Sequence, residues 1–217
     1  MAVAPRQGTR AALEQRRPTQ HEGDRCACGS AAADAHVGQQ FCSRSSTTLK
    51  ENRMEKIGAL TFRTIDEASA RQIVSWRYDP PYDMYNCDPN ALEETVQGFL
   101  NPSYHYYSVW DEVGELIGYW CFGEDGRVPG GDYRAAALDM GGGLRPDLRG
   151  QGRGARFMEA ALAFARRHFA PVAFRATVAA CNTRALRVCE QVGYRRIQTF
   201  VSTHTGQPFV VLMRDAE

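Results

Sequence analysis

From about residue 59 onward, apolar positions recur with period two in some stretches and with a helical period in others, and the two kinds alternate along the chain. "ALTFRTI" at 59–65 predicts a strand. "DEASARQIVSWRY" at 66–78 predicts a helix whose first turn carries Asp66 and Glu67, charges that a helix N-terminus favours. "LEETVQGFL" predicts a second helix. "YHYYSVW" and "ELIGYWCFG" read as strands joined by the turn "DEVG", and "YRAAALDMGGGL" at 133–144 as a longer strand. Then come the amphipathic helix "GARFMEAALAFARRHF", the strand "AFRATVAA" and the helix "TRALRVCEQVG". The strands "YRRIQTFVST" and "PFVVLMRD" close the chain around Thr205-Gly206.

Residues 1–53 lack this pattern. They are rich in Arg, Gln, Ala, Ser and Thr, and Phe41 is their only aromatic residue, so they are expected to be a disordered extension ahead of one domain at 54–217. Arg16-Arg17 is followed by no apolar run and is no convincing export signal. Lys50 and Glu51 can be encoded as a ribosome-binding sequence just ahead of Met54, which makes Met54 a candidate initiator.

The 217 residues, 43% hydrophobic and 24% charged, suit one buried core. A formal net charge of +1 gives no reason to expect nucleic acid or an anionic membrane as partner. No apolar run is long enough to span a bilayer. The seven cysteines, at 26, 28, 42, 87, 121, 181 and 189, form no C-x-x-C pair, so a reducing, cytoplasmic setting is the expectation. Cys26, Cys28, His36 and Cys42 are read as a chance cluster, and no metal is assigned.

The candidate chemistry lies in "LRPDLRGQGRGARF" at 144–157. Gly150, Gly152 and Ala155 match a dinucleotide fingerprint, but the loop comes late in the chain and no acidic residue occurs at 160–189 to take a ribose. A nucleotide P-loop fails for want of Gly-Lys-Ser/Thr. What remains is an anion cradle, built from the N–H groups of Gly150, Gln151, Gly152, Arg153 and Gly154 at a helix start and suited to a pyrophosphate.

Two motifs now resemble the GNAT superfamily of N-acetyltransferases, over about residues 58–215. Leu144-x-Pro146 followed by Arg149-x-x-Gly152-x-Gly154 is similar to the family's acetyl-CoA pyrophosphate loop. "NTRALRVCEQVGY" is similar to a second element, matched at Asn182, Ala185, Glu190, Gly193 and Tyr194. The resemblance implies a mixed α/β (α+β) fold: a twisted, mostly antiparallel sheet of six to seven strands with four helices, splayed between the fourth and fifth strands of that set. It implies acetyl-CoA as co-substrate, and a primary amine of a small molecule or a protein N-terminus as acceptor, attacking directly in a ternary complex. A monomer or homodimer is expected. A non-catalytic acetyl-CoA binder or sensor is the alternative.

By the same resemblance, Gly143, Leu144, Arg149, Gly150, Gln151, Gly152, Arg153, Gly154, Ala155, Asn182 and Arg184 would hold the cofactor, with Arg187 near its phosphates. Gly141–Gly143 would mark a bulge or the close approach of a ligand. Asp139, or Glu124 after the third strand, would be the base. In "SWRYDPPYDMYN", Tyr78, Asp79, Tyr82 and Tyr85 would meet the acceptor, with Asp83 beside them, while Trp76 closes the core. Where many relatives carry a tyrosine that protonates the leaving thiolate, this chain has Cys189. It is either a substitute acid or a buried inert thiol.

Overall fold

A computed structural model describes residues 54–57 and 59–217. The proposals on the N-terminal extension and on Cys26, Cys28, His36 and Cys42 fall outside the described residues. Eight strands form one sheet: β1 (Met54–Ile57), β2 (Leu60–Thr64), β3 (Tyr107–Trp110), β4 (Leu116–Phe122), β5 (Leu138–Leu144), β6 (Ala173–Ala179), β7 (Arg195–Val201) and β8 (Pro208–Asp215). Their order is β1-β2-β3-β4-β5-β6-β8-β7, and every neighbouring pair is antiparallel except β5–β6. Among the described residues the α-helices are α1 (Glu67–Val74), α2 (Leu92–Leu100), α3 (Gly154–Phe169) and α4 (Thr183–Gln191). The splay implied by the resemblance falls between β5 and β6, because the short strand β1 adds one to the count.

β4 is buried along its whole length, as a strand covered on both faces must be. Trp120 and Phe122 point into the larger core, where Trp120 stacks on Phe157 and Phe62 on Phe164 of α3. Leu116, Tyr119 and Cys121 join the second core with Ile73 of α1, Trp76 and Phe99 of α2. The alternation changes phase at Ile117, where a register shift interrupts the β3–β4 ladder. The β4–β5 register runs without interruption through Gly141–Gly143, so of the two readings of these glycines the bulge is not there. Gly142 and Gly143 make room for the protein's own aromatics: a Cβ on Gly142 would lie 2.6 Å from the Trp120 ring and 2.6 Å from the Tyr119 carbonyl.

Several elements are shorter than their sequence pattern predicts, α1 and β5 by the most. α1 ends at Val74, because Ser75 caps it through the Gln72 carbonyl and Trp76 turns into the core. β5 begins at Leu138 rather than Tyr133, and the residues ahead of it are held by side-chain bonds instead of a ladder. The Tyr133 hydroxyl bonds with Val128, and Arg175 Nη1 donates to the Ala135 carbonyl (2.9 Å).

Two glycine substitutions separate these constraints. Gly98 in α2 has open space around it, so Gly98→Ala is expected to stabilise the protein by about 0.5–1 kcal/mol in denaturant unfolding. Gly142→Ala is expected to cost about 1–3 kcal/mol, because neither the indole nor the backbone oxygen can retreat.

Candidate active site

β5 and β6 are bonded over only three residue pairs, Leu138↔Phe174, Asp139↔Arg175 and Met140↔Ala176. Beyond them β5 stays with β4 and β6 with β8. A cleft of about 290 Å³ opens by the diverging ends, walled by α3 and α4 and by the strap between α1 and α2.

The phosphate-type features sit at one wall. Gly150 (φ 75°) and Gly152 (φ 72°) take left-handed conformations, with nothing near an added Cβ, so backbone conformation and not space requires glycine there. Gly154 has the opposite reason: a Cβ would come within 2.7 Å of Val188, and its absence lets α3 start against α4. Arg153, the N-cap of α3, makes no side-chain cap, and the first amide bonded within the helix is Phe157, to the Arg153 carbonyl (3.0 Å). The N–H groups of Gly154, Ala155 and Arg156 therefore have no helical acceptor, which is the usual anion-binding end of a helix.

Arg149, Arg153, Arg184 and Arg187 line the same cleft, and no Asp or Glu does. Among the described residues no carboxylate forms an ion pair with Arg149, Arg184 or Arg187. Arg149 lies over the rings of Tyr78 (4.7 Å) and Tyr82 (5.3 Å), and Arg184 over Tyr82 (5.4 Å). Guanidiniums without carboxylate partners around an uncapped helix start make a site for a polyanion.

Most residues named from sequence converge here. Leu144, Arg149, Gly150, Gly152, Arg153, Gly154, Ala155, Asn182 and Arg184 line the cleft together with Tyr78, Tyr82 and Tyr85. Asn182 also has a local duty, since its Oδ1 accepts the Ala185 amide (3.1 Å) and caps α4. Gly143 and Gln151 are not in the lining. Gly143 is covered by Tyr119 and Tyr78, and Gln151 donates to the Asp147 carbonyl (2.7 Å). Asp79 is exposed outside the cleft. Trp120, Met158, Val188 and Gln191 line it without having been singled out, because periodicity marks such positions only as helix faces or core.

The three residues expected to do acid–base work lie elsewhere. Asp139 is 2% exposed and serves as a structural counter-ion. Arg175 Nε donates to its Oδ1 (2.5 Å) and Nη2 to its Oδ2 (2.8 Å), and Arg127 Nε donates to Oδ2 (2.7 Å). All three donors are guanidinium N–H groups, and Asp139 does not line the cleft. Glu124 is 74% exposed in its side chain and pairs with Arg127 (3.1 Å). Cys189 is fully buried in the larger core, and burial pushes its thiol up to about 12.

The family sequence profile described as "Acetyltransferase (GNAT) family" matches residues 55–194. The chain belongs to this GNAT family. Members use acetyl-CoA as co-substrate, and the polyanion site above fits its pyrophosphate. A search of curated proteins finds no match. Solved structures share the GNAT fold. An acetyltransferase (GNAT family) from Bacillus anthracis superposes with a TM-score of 0.60 at 16% identity, over 76% of this chain and 99% of that one. A protein from Bordetella pertussis assigned to the GnaT family gives 0.59 at 20%, over 75% and 99%. A chimera of the Vibrio cholerae spermidine N-acetyltransferase gives 0.57 at 16%, over 73% and 96%. Among the described residues of this GNAT chain no helix is long and apolar enough to cross a membrane.

Two substitutions test these placements. Asp139→Asn is expected to lower stability by about 3–5 kcal/mol in denaturant unfolding, since it leaves Arg175 buried without its counter-charge. Cys189→Ala is expected to keep near-parental turnover per folded molecule, measured as free thiol released from acetyl-CoA. A fall of about a hundredfold at unchanged affinity would instead return the acid role to Cys189.

Proposed function

We propose that this GNAT protein is an acetyl-CoA-dependent N-acetyltransferase that moves the acetyl group to a primary amine, of a small molecule or a protein N-terminus, by direct attack in a ternary complex. The observation that carries this reading is the uncapped start of α3 facing arginines that have no carboxylate partners. In the proposed reaction the amine nitrogen attacks the thioester carbonyl carbon, the C–N bond forms, and the C–S bond breaks with its electron pair leaving on sulfur. No carboxylate lines the cleft, so the amine would enter uncharged or give its proton to water. Turnover then rises with pH up to the acceptor's own pKa.

The missing carboxylate also favours a second reading, a GNAT-fold protein that binds acetyl-CoA without turning it over. Free CoA measured against a panel of amines separates the two: release above the hydrolysis background supports the enzyme, and binding without release supports the sensor.

The loop itself is tested by two variants at one position. Gly152→Asp is expected to abolish acetyl-CoA binding in calorimetry, by like-charge repulsion of the pyrophosphate and strain at φ 72°. Gly152→Asn has a similar shape and backbone strain without the charge, so it is expected to lose less. Equal, undiminished affinity in both would remove the pyrophosphate assignment.

A further inference from the structure

We propose that Tyr85 is the acid that protonates the departing CoA thiolate. The inference rests on the acetyltransfer reading above and deepens it by naming a catalytic residue. Breaking the C–S bond leaves a thiolate, and the cleft has few groups able to give it a proton. Its lining contains no Asp, Glu, His, Lys or Cys, and its arginines do not release protons near neutral pH. The hydroxyls of Tyr78, Tyr82 and Tyr85 remain.

Their surroundings differ. Tyr78 Oη already donates to the Leu144 carbonyl (2.9 Å), so its proton is engaged. The Tyr82 ring lies beneath Arg149 and Arg184, at the phosphate end of the cleft. The Tyr85 oxygen, by contrast, is approached by donors. Asn182 Nδ2 donates to it (3.3 Å), and the Ala179 backbone adds a bond that favours the charged form. Donors use the oxygen's lone pairs, leave its O–H to point elsewhere, and stabilise the phenolate left after proton transfer.

Tyr85 is also held firmly. It ends a one-turn helix, Asp83–Tyr85, packed with Tyr78, Ala179 and Phe209. Asn86 closes the strap behind it, accepting the Tyr78 N–H (2.7 Å) and donating to the Tyr78 carbonyl (3.1 Å). Burial, the largest influence, raises the phenol to about 12, so it stays protonated at every pH where the protein would be assayed. The proton balance closes simply. The O–H proton goes to sulfur and yields the free CoA thiol, and the phenolate is reprotonated from solvent, which takes up the proton lost by the amine.

The test compares the parent with Tyr85→Phe. Expected are an unchanged acetyl-CoA dissociation constant in calorimetry and a fall in kcat of about 10²–10⁴, the usual scale of losing an acid. A second readout needs no turnover: the parent is expected to bind CoA more tightly than desulfo-CoA, and Tyr85→Phe to bind both alike. Placing 3,5-difluorotyrosine at 85, close in size but a stronger acid, is expected to bring a falling alkaline limb of kcat into the measurable range, and keeps the test open should Tyr85→Phe fold poorly. Parental kcat in Tyr85→Phe, an unmoved pH profile with the fluorinated residue, or a kcat loss matched by an equal loss of acetyl-CoA affinity would each overturn the assignment. A parent that binds no acetyl-CoA would overturn the acetyltransfer reading and this inference together, whereas a parent that turns over with Tyr85→Phe unaffected removes only the latter.

Discussion

The parting of β5 from β6 after three residue pairs is the constraint on which the rest of the site depends. Each strand is committed to its other neighbour, β5 to β4 by five pairs and β6 to β8 by seven, so neither can follow the other across the gap. Peptide groups facing such a gap need partners. One is satisfied from the strap, where Tyr78 donates to the Leu144 carbonyl. An extended, amide-bearing molecule entering there would find backbone groups that the sheet leaves unpaired.

Charge is sorted around this opening. At its root the Asp139–Arg175 pair joins the two strands at the middle of their short ladder, and Arg127 and the Tyr133 ring complete the cluster. Such a buried pair contributes little net stability by itself, but losing one member leaves an uncompensated charge. At the mouth the opposite holds: four arginines face the cleft with aromatic rings and carbonyls near them and no acid in the lining. An anionic ligand would supply what the fold leaves out there, whereas Asp139 is engaged by Arg175 and Arg127, and Glu124 sits exposed beside Arg127.

The strap between α1 and α2 links these regions. Its tyrosines lie against the arginines at the phosphate end and against Asn182 at the α4 end. A segment that its sequence marks for the acceptor thus also forms a wall of the arginine-lined cleft.

What the sequence determined by itself was everything carried by local chemistry. The glycines at 150 and 152 signal a loop of unusual backbone freedom at a helix start wherever it lies, and period-two and helical patterns place the strands and helices within a few residues. It did not reveal what each polar side chain faces. Asp139 looks like a base in a strand until Arg175, 36 positions away, arrives on the neighbouring strand. Gly142 looks like a bulge or a ligand contact until the Trp120 ring fills its space, and Tyr85 reads only as an acceptor contact until it meets Asn182, 97 positions away. Secondary structure follows from neighbours within a few residues, whereas a titratable group's role follows from burial and partners, and those exist only once distant segments have packed.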